Sequence, residues 1–351
     1  MIQGLVGKRE GENQMKKHLA TFSCLLLLLT SASTLLLAVP EDSQIERLDP
    51  SLDSIIHSDA KLEKVAGGFQ FTEGPVWDKA GNLFFVDINA AVINKLTPDG
   101  KVVRFYGPDQ LTERDLSVAG VPGANGLTVD HQGRLTMCDQ GHRVVSRLGS
   151  NGKITVMADR YQGKRFNSPN DLVYKSDGSL YFTDPPYGLE KEDQDKNREL
   201  SINGVYRVSH GKILLLIKDL PRPNGIAFTP DEKSIYIDNS EPQKIIMRYG
   251  VNPDGTLGNG TLFADLSAGK EPGVPDGLKV DQLGNVYSTG PGGIWIFSSQ
   301  GKHLGTIHVP EVAANCAWGG KNGRFLYITA TTSVYRIKLQ ITGVRPVPTK
   351  N

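Results

Sequence analysis

This chain is poor in the ligands that build a zinc cage. Its 351 residues include three cysteines and seven histidines, at 18, 57, 131, 142, 210, 303 and 308. The histidines show no paired spacing, which argues against zinc held by histidine or cysteine. It also lacks an excess of either charge. With 39 basic and 38 acidic residues, there is no footprint for nucleic acid or an anionic membrane surface. No Gly-x-Ser-x-Gly elbow occurs, which argues against a serine-nucleophile esterase. No long apolar pattern at spacing 3, 4, 7 recurs, so helical solenoids are excluded too. What the chain has in quantity is glycine, 39 residues, spread among short runs that read as strands between turns.

The one dense apolar stretch is N-terminal. Met15-Lys16-Lys17-His18 is basic, residues 19–39 carry no charge, and the apolar run 25–29 precedes the small residues Ser31-Ala32-Ser33. This pattern predicts a secretory leader over residues 1–38, with translation able to start at Met15, and hence export to the periplasm or the medium. An uncleaved anchor is the alternative, since about 20 apolar residues can just span a bilayer. Residues 39–60 read as a linker and 340–351 as a tail.

Between these lies a repeat. The stretch "FTEGPVWDKAGNLFFVD" from Phe71 aligns without gaps on "ANGLTVDHQGRLTMCD", "PNDLVYKSDGSLYFTD", "PNGIAFTPDEKSIYID", "PDGLKVDQLGNVYSTG" and "ANCAWGGKNGRFLYIT". One polar oxygen-bearing residue recurs in each: Glu73, Asn125, Asn170, Asn224, Asp276 and Asn315, at separations of 52, 45, 54, 52 and 39. Fourteen residues after each stands Asp87, Asp139, Asp184, Asp238, Gly290 or Thr329. Each unit reads as four strands; in the second they are 126–130, 134–139, 143–148 and 154–159. Four-stranded units at a period near 50 are the mark of a propeller blade. The sixth unit lacks a fourth strand, while "KLEKVAGGF" (61–69) precedes the first without a unit of its own. The chain is therefore expected to be all-β, a six-bladed β-propeller over residues 61–339 whose ring is closed by an N-terminal strand completing the last blade. Cys138 and Cys316 fall in non-neighbouring units, which predicts two buried free thiols.

In a propeller the first strand of every blade lines the central channel, so the six polar residues should form one ring at one end of it. Two carboxylates, Glu73 and Asp276, facing amide oxygens make an all-oxygen set. Buried without a partner, the charges would repel and be poorly solvated. A hard divalent cation resolves both problems, Ca²⁺ first, with Mg²⁺ and Mn²⁺ able to serve. Glu73 has no turn role before Gly-Pro and is assigned to function. Asn315 and the series Asp87, Asp139, Asp184 and Asp238 are assigned to structure, the aspartates as ties between blades.

The segments "FTEGPVWD", "FNSPNDLVYKSDGSLYFTDPPYGL", "RPNGIAFTPDEKSIYIDN" and "PDGLKVDQLGNVYSTGPGGIWIFS" resemble the gluconolactonase branch of the family that also holds regucalcin and the luciferin-regenerating enzymes. The resemblance covers residues 69–335. It implies a six-bladed propeller with one divalent metal in the channel, often calcium, that hydrolyses lactones. Carried over position by position, the metal ligands are Glu73, Asn170, Asn224 and Asp276, with Asn170 also meeting substrate. One departure stands out: where the mammalian branch has an arginine two residues before the third-blade asparagine, this chain has Ser168. Arg165 lies nearby but out of register.

The resulting expectation is metal-dependent hydrolysis of a sugar lactone such as glucono-1,5-lactone. The metal polarises the carbonyl, and Asp276 and Glu73 are the catalytic carboxylates. Asn125, Asn170, His142 and Arg165 are the candidates for contact with the small-molecule substrate. The charged run "LEKEDQDKNREL" (189–200) is read as a solvated loop that could also cover the channel mouth. Zinc on the oxygen set, an esterase or organophosphate hydrolase on the same scaffold, and a non-enzymatic ligand-binding propeller with a structural metal are the alternatives. Oligomeric state is left open.

Overall fold

Strands of two to nine residues, separated by tight turns, carry almost all the regular structure. The computed structural model describes residues 44–107 and 123–346. The leader, residues 39–43 of the linker and the last five residues of the tail lie outside the described residues. Among the described residues no helix is long and apolar enough to cross a membrane.

Among the described residues, six antiparallel blade sheets run in sequence order, with a two-stranded ribbon, Arg160–Tyr161 and Lys164–Arg165, beside them. The inner strands are Thr72–Trp77, Ala124–Val129, Leu172–Tyr174, Pro223–Phe228, Leu278–Val280 and Ala313–Gly319. Each inner strand packs on the next, and the sixth packs on the first, so the ring is closed. Closure is made as the sequence predicts. Leu62–Gly67 is the outer strand of the sixth sheet, antiparallel to Ser333–Lys338. The Thr72 hydroxyl donates to the Ser333 carbonyl at 3.0 Å across this seam. Among the described residues, six apolar clusters fill the six wedges between blades, as with Leu83, Phe85, Tyr327 and Val334 at the closing seam. Each fully buried side chain of that size contributes roughly 1.5–3 kcal/mol. Cys138 and Cys316 are buried and free.

Part of the expected linker is built into the propeller. Ile45–Arg47 adds a fifth strand to the fifth blade, pairing with His303–His308. A 3₁₀ turn, Pro50–Ser54, follows, capped by the Asp49 carboxylate on the Ser51 N–H. It drives Leu52, Ile55 and Ile56 into the wedge between the fifth and sixth blades. The tail is also engaged: Val344 N–H donates to the Val280 carbonyl, and Gly343 lies against the Trp318 indole. These residues cross the channel at the end opposite the ring of polar residues.

The aspartates after the second strands do not tie neighbouring blades. Asp87 accepts from the N–H groups of Gln70 and Phe71, Asp184 from those of Asn167 and Ser168, and Asp238 from Gly225. Each therefore anchors the chain at the start of its own blade's inner strand. Asp139 instead binds the N–H and ring Nδ1 of His142 in the following turn.

Candidate active site

Four of the six inner strands break register just where the polar residue stands, between Glu73 and Val76, Ala124 and Leu127, Pro223 and Ile226, and Ala313 and Asn315. A bulge of this kind re-aims a side chain. Glycine follows the polar residue in four blades because the neighbouring backbone passes too close for a Cβ. The one on Gly126 would meet Asn170 O, and the one on Gly225 would lie 2.5 Å from Asp276 O.

The bulges bring Glu73, Asn125 and Asn224, and the segments entering the third and fifth inner strands bring Asn170 and Asp276, into the wall of one cavity of about 350 Å³ at the channel end where the inner strands begin. All five of these ring residues share this wall, as their register predicts. The sequence reading missed the residues that complete it: Asn89, Gln140, Tyr187, Ser240 and Glu241, with Phe71, Ile88 and Val274 as an apolar flank. Gln140 Oε1 accepts from Asn125 Nδ2 at 3.2 Å, and Ser240 Oγ accepts from Asn224 Nδ2 at 3.0 Å. Neither repeats between blades, so the alignment of units carried no signal for them.

Asn315, assigned to structure from sequence, touches the site directly through Glu73. Its Nδ2 donates to both Glu73 oxygens, at 3.3 and 3.1 Å. Its Oδ1 accepts from Cys316 N–H at 2.8 Å and from Lys279 Nζ at 3.1 Å. Lys279 and Asp171, also missed, sit deeper in the channel with nitrogen and oxygen 3.6 Å apart. Each takes a position where the repeat has no charge, which hid them from a search for repeated features.

His142 and Arg165 are not in the cavity wall. His142 Nδ1 is held by Asp139 Oδ2 at 2.7 Å, and Arg165 reaches over to the His142 carbonyl at 2.9 Å. The 189–200 run is docked rather than loose. Leu189 and Leu200 are buried, Arg198 pairs with Asp193, and Arg143 donates to the Asn197 carbonyl. None of its residues lines the cavity; Tyr187, just before it, does.

The electrostatics are those of too many buried acids. Burial, the Asp276 charge and the Asp171 charge together push the Glu73 carboxyl well above the usual range. Burial and then Asp171 push Asp276 up to about 7. The Oδ1 atoms of Asn224 and Asn125 are buried in this wall and accept no hydrogen bond from any described residue. Among the described residues no three His, Cys, Asp or Glu side chains converge as a cation site, so the candidate set is two carboxylates with amide oxygens. The acids gathered here, Glu73, Asp171, Asp238 and Asp276, outnumber the one ammonium, Lys279. Unpaired hard oxygens and this excess of acid fit one divalent cation of the calcium kind.

A channel-sited oxygen cluster at one pole of a six-bladed propeller thus defines the class of protein. The family profile described as SMP-30/Gluconolactonase/LRE-like region matches residues 71–332, and the chain belongs to that family. It is 37% identical over 313 residues to the gluconolactonase of Zymomonas mobilis, covering 86% of this chain and 87% of that one. Among solved structures, the Xanthomonas campestris gluconolactonase XC5397 superposes with a TM-score of 0.75 at 31% identity, over 84% of this chain and 94% of that one. The calcium-binding protein regucalcin from Agrobacterium tumefaciens shares the fold, with a TM-score of 0.66 at 18% identity over 81% and 95% of the two chains.

Proposed function

We propose that this chain hydrolyses a sugar lactone of the glucono-1,5-lactone type to its aldonic acid, with one divalent cation, Ca²⁺ first, held by Glu73, Asn170, Asn224 and Asp276. Lactone hydrolysis rests on family membership and on the 37% identity to a gluconolactonase over most of both chains. The observation that carries the cation is the pairing of two carboxylates, Glu73 buried and Asp276 half-buried, with the unpaired Oδ1 of Asn224 in one wall. When bound, a divalent cation supplies Lewis acidity to the lactone carbonyl.

The chain's own groups supply the rest. Asp276, which lines the same wall, is the group assigned to proton transfer. It accepts a proton from water as the water oxygen bonds to the carbonyl carbon. It returns that proton to the ring oxygen as the carbon–oxygen ring bond breaks. Asn125, Gln140, Tyr187 and Ser240 place donors and acceptors along the same wall, where sugar hydroxyls would lie. Phe71, Ile88 and Val274 cover the opposite flank and limit water. Export is proposed on the leader pattern alone; the N-terminal residue of the secreted chain, read by mass spectrometry, tests it.

The test is proton release from glucono-1,5-lactone, with spontaneous hydrolysis subtracted. It is run after EDTA and again with Ca²⁺, Mg²⁺, Mn²⁺ or Zn²⁺ restored. Activity that returns with a cation and is lost in Glu73→Gln is the expected result. A folded protein that hydrolyses no aldonolactone with any of these cations overturns the reading and puts aryl esters first.

A further inference from the structure

Lys279 is a half-buried ammonium that makes two hydrogen bonds beside an acid. It donates to the Leu278 carbonyl at 2.9 Å and to Asn315 Oδ1 at 3.1 Å, and faces Asp171 Oδ2 at 3.6 Å. Replacing a buried ion pair by apolar side chains is often neutral or stabilising, so stability alone does not call for a lysine here. Its geometry does something more specific. An asparagine amide has two nearly isosteric orientations, and the hydrogen bonds around it decide between them. Asn315 Oδ1 already accepts from the Cys316 N–H, and Lys279 adds a charged second donor to the same oxygen. A flipped amide would press its NH₂ against both donors. The Asn315 NH₂ is thereby committed to the other side, where it meets the two Glu73 oxygens.

We infer that Lys279 is a positioning residue for the cation site: it locks the Asn315 amide, and Asn315 in turn presents Glu73 to the cavity as an oriented carboxylate. This rests on the reading of Glu73 as a cation ligand. The competing account is that Lys279 does no more than neutralise Asp171.

The charge-balanced double variant Lys279→Met with Asp171→Asn separates the two. Ca²⁺ binding to the EDTA-treated full chain is measured by calorimetry, without substrate, beside the wild type. Positioning residues around a metal are typically worth 10- to 100-fold in affinity. The double variant is therefore expected to keep its fold and melting temperature and to bind Ca²⁺ at least about tenfold more weakly. Adding Asn315→Ala to it should cost nothing further, because both changes act through one contact. Lys279→Gln with Asp171→Asn keeps a donor for Asn315 and should restore near-wild-type affinity; it is also the variant to use if the methionine form fails to fold. Wild-type Ca²⁺ affinity in the methionine double variant, losses that add with Asn315→Ala, or a glutamine variant as weak as the methionine one would each overturn the inference. A wild-type chain that binds no divalent cation overturns the metal reading itself, and with it the purpose assigned to Lys279.

Discussion

The side-chain amide of Asn315 donates to both carboxylate oxygens of Glu73, residues 242 apart in sequence that meet where the sixth blade closes on the first. The cation candidate is thus tied to the seam of the ring. Asn315→Ala removes both hydrogen bonds and leaves Glu73 buried among acids with one fewer donor. Expected is a roughly 10- to 100-fold fall in divalent-cation affinity. The stability cost should be about 1–3 kcal/mol, because Glu73, Lys279 and the Cys316 N–H each lose a partner. Calorimetric cation binding and urea unfolding measure the two separately, and unchanged cation binding would contradict the assignment.

Asp276 gives a pH signature in the cation-free protein. Its carboxyl is pushed from 3.8 up to about 7, by burial first and then by Asp171. Between these values the folded state keeps a proton that the unfolded chain has released. This group therefore lowers stability as pH rises from about 4 to about 7, and its effect is constant outside that window. Asp276→Asn removes it. In EDTA, the stability of the variant relative to wild type should climb through that window by an amount on the order of a few kcal/mol, then level off. Urea melts at intervals of half a pH unit check it; a difference that does not change with pH would rule out a raised Asp276.

Tyr187 is held as a wall rather than left as a flexible cover. Its ring lies 5.9 Å from the Arg222 guanidinium, which pairs with Asp193 and, at 3.1 Å, with Glu192 of the 189–200 run. Arg222→Ala should loosen this wall without touching the ring of oxygen ligands. The expected result is a rise in KM for an aldonolactone of about tenfold, with kcat nearly unchanged, because uniform binding is lost rather than a contact made only in the transition state. A kcat loss with KM unchanged would place Tyr187 in the chemistry instead.

The ring was legible in the sequence because it is a register property. Glu73, Asn125, Asn170, Asn224 and Asp276 occupy one position in one repeated unit, and a closed ring of blades brings such positions together whatever the intervening loops do. What supports the ring was not legible. Lys279, Asp171, Gln140 and Ser240 each occur in a single blade, so no periodicity marks them. His142 and Arg165 neighbour ring segments in sequence, but neighbourhood does not set direction: His142 is held by Asp139, while Arg165 reaches the His142 carbonyl and donates its backbone N–H to the Glu199 carboxylate. The strand Ile45–Arg47 is three residues of partly exposed chain, too short to show an alternating pattern, and it exists because the outer edge of the fifth blade offers it partners.

Gly74 offers the sharpest test of the bulge that aims Glu73. It combines a φ of +54° with a backbone approach to Asn125 O that leaves no room for a Cβ. Gly133, with φ +76° in the turn after the second blade's inner strand, shares the backbone conformation but has nothing within 4 Å of where a Cβ would stand. Gly133→Ala should therefore show the conformational cost alone, about 1 kcal/mol. Gly74→Ala must also move the second blade's inner strand or flatten the bulge, and should cost several kcal/mol in all. Flattening the bulge turns Glu73 out of the cavity wall, so cation affinity should fall together with stability in Gly74→Ala and stay at the wild-type level in Gly133→Ala. Equal destabilisation of the two variants, or a Gly74→Ala protein that binds Ca²⁺ normally, would show that the bulge is not what holds Glu73 in place.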